Sequence, residues 1–528
     1  MNTPIDVHKV FAGHFDGVSA LAYAVSKTLA EGSICLDTKA YLDRMDKLED
    51  PERQAENPFW KDETHFEDQL NESTFVGTAP DAHKPFIIHA GNAYLHRYFQ
   101  YETRIIEHIR RLGDNFRVIT GGPGTGKTYG LGEKLVGLLT TDLNLTLAMA
   151  APTGKAAARM NEAIGKYLKE KNDDSDEVHK KLHSVKAQTL HKLLKPLPHS
   201  VFFRHDKENP LPYDVVVVDE ASMVDVALMA KLMDAIGDKT ELFLVGDKDQ
   251  LASVEAGSVF GDICRAGESG LLKGKVELKT KNWRAMDTPR LIEYSKSVID
   301  GDATLASDYE NNDQVVVDKN YDEGLFKKKA LLYLEYIKEQ DVGKALRELN
   351  KVRFLCVTRE HDHSVAETNS RIEKFLKRKI NDSKVFSPRE GFYHNQPIII
   401  TQNDYDLDLR NGDVGLIRRD ESGELQAYFE SASGEEPRKV KAGYLNSYDT
   451  VFAMTIHKSQ GSEFDEVVVI LPEKRAKKLL TRELLYTAVT RARNSVLIQS
   501  TEEVLNQCIT QKVSRASGIT ERIKKVKP

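Results

Sequence analysis

The chain has 528 residues, and its 75 basic and 81 acidic side chains leave a formal net charge of −6. This length is too great for a single hydrophobic core, so about three or four domains are expected. The charge argues against a protein that is basic as a whole, such as one that coats nucleic acid. It is compatible with a motor that grips a short strand in one local cleft.

The remaining composition favours a protein of the reducing cytoplasm. No apolar run approaches the roughly 18 residues that span a bilayer, and the first ten residues show no secretory signal. The four cysteines have neither metal-like spacing nor a disulfide-dense pattern. They are Cys35, Cys264, Cys356 and Cys508.

The first predicted region runs to about residue 115 and is mainly helical. Apolar residues recur at helical spacing from Val18 to Leu29. Residues 86–88 form a short strand candidate. No chemistry follows from this region by itself, and we expect it to dock a partner.

From residue 116 the sequence changes to short apolar runs that alternate with helical segments. Buried parallel strands have this pattern because helices cover both faces of the sheet. The pattern predicts an α/β fold with two sheets, one over residues 116–290 and one over 291–528. Shorter spacing and turn signals predict a small β insertion at about 385–450. The strand candidates are 116–120, 145–149, 215–218, 242–245, 353–357, 397–400, 466–471 and 496–498.

A strand, a glycine-rich loop and the start of a helix follow one another at residues 116–128. The loop fits G-x-x-x-x-G-K-[ST], in which backbone N–H groups close around phosphates at a helix N-terminus. Lys127 is expected to reach the β- and γ-phosphates of ATP, and the Thr128 hydroxyl to bind Mg²⁺. The predicted nucleotide-binding residues are Gly121, Gly122, Pro123, Gly124, Thr125, Gly126, Lys127 and Thr128.

The second half of the nucleotide site is predicted where the apolar run 215–218 ends in two carboxylates. These carboxylates should emerge at the carboxyl edge of the sheet, beside the phosphate loop. Asp219 suits the Mg²⁺ shell, and Glu220 suits activation of the attacking water. A signalling ATPase shares all of these features.

Residues far from the loop favour a motor over a signalling ATPase. Gln250 follows the apolar run 242–245 and is placed to sense the γ-phosphate. Arg284 and Arg491 carry guanidinium groups that can stabilise charge on the transferred phosphate. If Arg491 comes from the second domain, ATP binding closes a cleft and hydrolysis releases it, which is a mechanical cycle.

Seven strings occur in the order of the motifs of superfamily 1B helicases, and the chain resembles that superfamily. The strings at 249–257 and 457–464 resemble most the RecD family, the alpha subunits of exodeoxyribonuclease V. The resemblance covers about residues 85–515. The strings are GGPGTGKT, APTGKAAARM, VVVVDEASMVD, LVGDKDQLASVEAGSVFGDI, NWRA, TIHKSQGSEFDEVVVILP and LLYTAVTRAR.

The resemblance implies two RecA-like P-loop NTPase domains after a helical N-terminal domain. It also implies a hairpin at about 193–212, with Phe202 and Phe203 either exposed or packed beneath it, and an SH3-like barrel at the insertion. The implied activity is ATP-dependent 5′→3′ translocation and unwinding of DNA in double-strand break repair and recombination. The implied partners are single-stranded and duplex-end DNA and, in a heterotrimer, RecB-like and RecC-like subunits.

The resemblance also implies residue roles, and three other functions stay open. Trp283 stands where an aromatic stacks on adenine, although a core aromatic is an alternative, and Glu463 stands where a side chain contacts the ribose. The open alternatives are a stand-alone RecD-like helicase, an RNA-directed helicase and a nucleotide-binding subunit that moves nothing. A nuclease site within the chain is not expected. The candidate strand contacts are Thr153, Lys155, His191, Thr455, His457 and Ser459.

Overall fold

The computed structural model describes residues 5–78, 83–171, 176–267, 270–283, 286–380, 391–404, 406–430, 436–474 and 476–525. Their strands form four sheets, two of them entirely parallel. Within these ranges, no helix combines the length and apolar character that a membrane crossing needs. The predicted α/β class with two sheets is confirmed.

The N-terminal region is helical, as predicted, but it also contains a small sheet. Its helices are α1 (Val7–Ala12), α2 (Ser19–Ala30), α3 (Thr38–Asp46), α4 (Asp50–Glu56) and α5 (Glu63–Asn71). Its strands are β1 (Leu36–Asp37), β2 (Val76–Gly77), β3 (Phe86–His89) and β4 (Asn92–Leu95), in the order β1-β4-β3-β2. Phe86 and Ala93 are buried in one cluster with the apolar face of α2. Of these strands only β3 was predicted. Strands β1 and β2 are two residues long and show no periodicity, and β4 follows β3 after a two-residue turn and was not recognised as a separate strand.

The first domain is a six-stranded parallel sheet with helices on both faces. Its helices are α6 (His96–Leu112), α7 (Lys127–Thr141), α8 (Gly154–Lys171), α9 (Glu177–Ser184), α10 (Leu190–Leu194), α11 (Val226–Ala235) and α12 (Val259–Ala266). Its strands are β5 (Phe116–Thr120), β6 (Leu147–Ala151), β7 (Gln188–Thr189), β8 (Val215–Val218), β9 (Glu241–Gly246) and β10 (Val276–Leu278). The order is β10-β5-β9-β8-β6-β7. The loops that follow the neighbouring strands β5, β9 and β8 therefore meet at one edge of the sheet.

Helix α6 packs on this sheet, although the sequence placed it with the N-terminal region. Ile105 and Ile109 are fully buried in the cluster that contains β5 and α11. On its polar side, Asp234 of α11 accepts hydrogen bonds from His108 Nε2 at 2.8 Å and Arg104 Nε at 3.1 Å. The predicted boundary at residue 115 therefore falls after a helix that contacts the first domain.

A hairpin projects between α10 and β8, within the predicted range. Arg204 N donates to Lys195 O at 2.8 Å, and Leu197 N donates to Phe202 O at 3.0 Å. The Phe202 side chain is 67% exposed at the tip. Phe203 instead packs against the core of the first domain. Of the two alternatives left open by the sequence, Phe202 is therefore exposed and Phe203 is packed beneath the hairpin.

The second domain is a five-stranded parallel sheet with its helices. Its helices are α13 (Pro289–Asp300), α14 (Ala303–Ser307), α15 (Glu323–Ala330), α16 (Leu334–Lys338), α17 (Val342–Leu349), α18 (Val365–Lys379), α19 (Arg482–Val489) and α20 (Glu502–Thr510). The strands from here to the end are β11 (Val315–Asp318), β12 (Val352–Cys356), β13 (Gln396–Ile400), β14 (Val414–Arg419), β15 (Leu425–Phe429), β16 (Arg438–Lys441), β17 (Tyr448–Thr450), β18 (Ala453–Thr455), β19 (Phe464–Ile470) and β20 (Ala492–Gln499). The parallel order is β11-β20-β19-β12-β18.

The predicted β insertion is confirmed as an antiparallel sheet of the order β16-β15-β14-β13-β17. Ile398, Ile417 and Phe429 are buried in its own small core. Among the described strands, the pairing ends at β16 and β17 and does not close into the predicted barrel. Residues 381–390 and 431–435 of the predicted insertion lie outside the described residues.

The last part of the chain leaves the second domain and returns to the first. Residues 511–525, here called the C-terminal strap, end in helix α21 (Ile519–Lys525). Ile519 and Ile523 are fully buried in the core of the first domain. These two residues are four positions apart, so they share one face of the helix. The basic residues around them hid this short apolar face, and residues 526–528 lie outside the described residues.

Candidate nucleotide site and interdomain cleft

The glycine-rich loop lies between β5 and α7, and its backbone allows little beyond glycine. Gly126 has a φ of +71°, in the left-handed region that favours glycine. A Cβ on Gly121 would lie 2.6 Å from the carbonyl oxygen of Lys279. The loop folds around the Lys127 ammonium, which donates to Gly121 O at 2.5 Å and Gly122 O at 3.0 Å. The Lys127 ammonium therefore lies within the predicted phosphate loop.

Asp219 and Glu220 emerge at the end of β8, beside the start of α7. The Thr128 hydroxyl donates to Asp219 Oδ2 at 3.0 Å. Burial and the neighbouring Glu220 carboxylate raise the pKa of Asp219, while Lys127 and Thr128 counteract this. Glu220 adopts a φ of +51°. The hydroxyl and carboxylate that the sequence predicts as Mg²⁺ ligands are therefore adjacent, and both oxygens are of the kind that Mg²⁺ prefers.

The loop after β9, residues 247–251, carries Gln250 and is here called the sensor loop. Asp247 at its start is 1% exposed, and burial raises the pKa of its carboxyl. Asp247 Oδ2 accepts hydrogen bonds from Gln250 Nε2 and from the Tyr486 hydroxyl, both at 3.1 Å. A Cβ on Gly122 would lie 2.9 Å from the same hydroxyl. Tyr486 of the second domain therefore touches both loops of the first.

Asp247 and Tyr486 both lie in helicase-like strings of the sequence, but no role was predicted for either residue. A carboxylate three residues before Gln250 in the sensor string was the available signal. The tyrosine five residues before Arg491 carried no such signal, because its partner is 239 positions away.

Trp283 lies on the phosphate loop rather than in a core. Its backbone N–H donates to Gly124 O at 2.9 Å, and Asn282 Nδ2 donates to Pro123 O at 2.9 Å. The indole is 55% exposed, and the Lys281 ammonium lies 3.6 Å from its ring centroid. The alternative of a core aromatic is therefore wrong, and adenine stacking stays a prediction. Arg284 lies outside the described residues.

Arg491 is buried, and its guanidinium donates to carbonyl oxygens of its own domain. Nε donates to Thr487 O at 3.1 Å, and Nη1 donates to Ser462 O at 3.2 Å. In this arrangement, these bonds fix the guanidinium of Arg491 within the second domain. Its contact with a phosphate stays a prediction.

Glu463 takes part in an ion pair across the cleft, and this pair adds a residue that sequence reasoning missed. Glu463 Oε2 lies 3.6 Å from Arg159 Nη2 of the first domain and 3.3 Å from Arg493 Nε. Burial lowers the pKa of Arg159, and Glu463 opposes that shift. The predicted ribose contact therefore faces an arginine of α8, and the ribose role stays a prediction.

Two candidate strand contacts lie where the first domain meets the second domain and the insertion. Thr153 Oγ1 accepts from Ala156 N at 3.2 Å, which caps the start of α8. The Lys155 ammonium lies 5.9 Å from the Phe464 ring centroid, and burial together with Arg159 lowers its pKa to about 8. Next to it, a Cβ on Gly154 would lie 2.8 Å from the Arg410 side chain. No role was predicted for Arg410, which lies in the predicted β insertion.

The other four candidate strand contacts differ in the solvent exposure of their side chains. His191 is exposed on α10, beside the ring of Phe203. Thr455 and His457 are half-buried, and burial lowers the pKa of His457. Ser459 is fully buried, and its hydroxyl donates to Ile456 O at 2.7 Å. In this arrangement Ser459 stabilises a turn and has no surface to offer a strand.

Comparisons with known proteins match most of the chain in three parts. A family model of the AAA domain matches residues 106–256, and one of the UvrD-like helicase C-terminal domain matches residues 450–498. The N-terminal domain model of the RecBCD enzyme subunit RecD matches residues 13–94. The AAA match and the loop geometry together make the first domain a nucleotide-binding domain.

Relatives extend the match along nearly the whole chain. The RecBCD enzyme subunit RecD of Mycobacterium tuberculosis is 33% identical over 97% of this chain and 92% of its own length. The ATP-dependent RecD2 DNA helicase of Deinococcus radiodurans is 28% identical over 78% of this chain but only 51% of its own length. A solved structure of Bacteroides Pif1 helicase with ADP-AlF3 and single-stranded DNA covers 76% of this chain and 91% of its own at 16% identity. Its TM-score of 0.42 is too low for a functional conclusion. From its identity with the mycobacterial protein along almost its entire length, the chain belongs to the RecD family.

Proposed function

We infer that the chain is an ATP-dependent 5′→3′ translocase and helicase on single-stranded DNA. It acts in the cytoplasm as the RecD-type subunit of a RecBCD-like helicase–nuclease in double-strand break repair and homologous recombination. Family membership supports this function, together with motifs in helicase order. ATP and Mg²⁺ are its cofactors, with Lys127 on the phosphates and with Thr128 and Asp219 as the Mg²⁺ ligands.

One observation carries the proposal of a motor. The sensor loop, which lies beside the phosphate loop of the first domain, is hydrogen-bonded to the second domain. Leu251 N donates to Thr487 Oγ1 at 2.9 Å, and Gln460 Nε2 donates to Leu251 O at 2.8 Å. A nucleotide that binds the phosphate loop changes contacts at this junction, so hydrolysis can alter the fit of the two domains. Strand contacts that span the junction, such as Lys155 and His457, would then move with each cycle.

Strand polarity tests the proposal at the level of activity. With ATP, the purified chain is expected to unwind a duplex with a 5′ single-stranded DNA tail and to leave a 3′-tailed duplex intact. A gel or fluorescence assay of strand separation measures this, and a 5′ RNA tail is the matched control. Unwinding from the 3′ tail alone would contradict the polarity, and unwinding from the RNA tail alone would indicate an RNA-directed helicase.

A second candidate is a stand-alone helicase. The similar Deinococcus protein is named a DNA helicase and is not named a subunit of the RecBCD enzyme. Purification from the native organism separates the two. Recovery with two large partners supports the RecBCD-like subunit. The expected docking region is the N-terminal region to about residue 115, which includes the match to the RecD N-terminal domain at 13–94. An active chain that is recovered alone would favour the stand-alone helicase.

A further inference from the structure

Three side chains of the second domain hold the sensor loop of the first. The Tyr486 hydroxyl donates to Asp247 Oδ2, the Thr487 hydroxyl accepts from Leu251 N, and the Gln460 amide donates to Leu251 O. All of these side chains are buried. Hydrogen bonds in such a setting are strong because water does not compete for them. The position of the sensor loop therefore depends on the seating of the second domain.

The Asp247 carboxylate also decides which way the Gln250 carboxamide faces. Gln250 Nε2 donates to Asp247 Oδ2, whereas Gln250 Oε1 is buried and has no hydrogen-bond partner among the described residues. A buried carbonyl oxygen without a donor costs free energy, so its persistence needs a reason. Tyr486 donates to the same Oδ2 and keeps that oxygen an acceptor, which orients the amide nitrogen towards Asp247. The acceptor end of Gln250 is thus kept free.

A free amide oxygen suits a particular task at a phosphate site. It accepts hydrogen bonds and therefore fits a water molecule, whereas phosphate oxygens require donors. Sensor loop and phosphate loop are adjacent, because Gly121 N donates to Gly246 O at 3.2 Å and the Tyr486 hydroxyl reaches Gly122. A water molecule that attacks the γ-phosphate needs an oriented acceptor of this type.

We propose that Tyr486 is a positioning residue for ATP hydrolysis. Through Asp247 it holds Gln250 with Oε1 free to accept a hydrogen bond from the attacking water. This inference rests on the ATP hydrolysis proposed above. Tyr486 lies on helix α19, and Arg491 lies in the turn that follows this helix. The same position of the second domain against the first therefore orients Gln250 and places Arg491 near the nucleotide site. Hydrolysis is thereby confined to the closed arrangement of the two domains.

The substitution Tyr486→Phe in the full chain tests this role, since it keeps the ring and removes only the hydroxyl. We expect kcat for ATP hydrolysis with single-stranded DNA to fall about tenfold, while KM for ATP and the melting temperature stay close to wild type. Tyr294→Phe is the matched control. Tyr294 is also fully buried in the second domain, and its hydroxyl has no hydrogen-bond partner among the described residues. Its kcat is expected to equal that of the wild type.

A double-mutant cycle separates positioning from a general structural effect. If Tyr486 acts through Gln250, Tyr486→Phe lowers kcat no further in a Gln250→Ala background. Multiplied losses in the double variant, or an unchanged kcat in Tyr486→Phe, would overturn the positioning role while hydrolysis by the wild type stands. A wild-type chain that hydrolyses no ATP would instead overturn the proposed function, and this inference with it.

Discussion

Replacing Glu220 with glutamine is expected to lower kcat for ATP hydrolysis at least about 100-fold and to leave nucleotide affinity nearly unchanged. Glu220 follows β8 beside Asp219, whose Oδ1 accepts from the Glu220 backbone N–H, and the proposed role of its carboxylate is to accept a proton from the attacking water. Glutamine has the same size and cannot act as this base. The residue keeps its left-handed backbone at φ +51° in either case, so the fold should not change.

Steady-state hydrolysis and binding of a fluorescent nucleotide analogue, measured on the same preparation, check this expectation. Glu162→Gln is the matched control, because Glu162 is exposed on α8. Its kcat should match that of the wild type. Wild-type hydrolysis by Glu220→Gln would assign the base to another residue.

Removal of the C-terminal strap is expected to cause the largest loss of stability. Glu102 is fully buried, and burial raises the pKa of its carboxyl. It accepts hydrogen bonds from Gly518 N at 2.9 Å and Ser517 Oγ at 3.1 Å. Arg515 Nη1 donates to the Ser253 and Gly257 carbonyl oxygens at 2.7 and 3.0 Å. A chain that ends at residue 510 loses all of these bonds, and the Glu102 carboxyl loses both donors of the strap.

The apolar part of the strap can be tested without truncation. Ile523→Ala is expected to lower the free energy of unfolding by about 2–5 kcal/mol, because the side chain is fully buried in the first domain. Ile5→Ala is the control, since Ile5 is 79% exposed. Thermal unfolding followed by calorimetry should show a lower melting temperature for the truncated chain and for Ile523→Ala only. Equal melting temperatures for all of the chains would show that the strap contributes no stability.

The sequence predicted the elements whose signal is local. The boundaries of β5 and β8 agree with the predicted strands, because each is a short, mostly apolar segment that leads directly into motif residues. The phosphate loop, Asp219 and Gln250 follow such strands, so their place at one sheet edge could be expected. These three features lie close together in the structure because the strands before them are neighbours in one parallel sheet.

Non-local features escaped the prediction for physical reasons. Strand β10 has three residues in a charged segment and carries no periodicity, whereas the apolar run of β11 was passed over although it is as long as β8. The strap contacts regions more than 250 positions away. The bond from Tyr486 to Asp247 also joins distant segments. Such contacts depend on how the two domains are seated, which residue spacing does not encode.

The most direct test of the DNA-motor proposal is ATP hydrolysis by the purified chain without nucleic acid, with single-stranded DNA and with single-stranded RNA. We expect DNA to raise kcat several-fold or more and RNA to have little effect. Lys127→Gln should abolish hydrolysis under all three conditions, because the glutamine lacks the ammonium that the phosphate loop surrounds. Hydrolysis that is indifferent to DNA, or that persists in Lys127→Gln, would contradict a DNA-driven motor built on this nucleotide site.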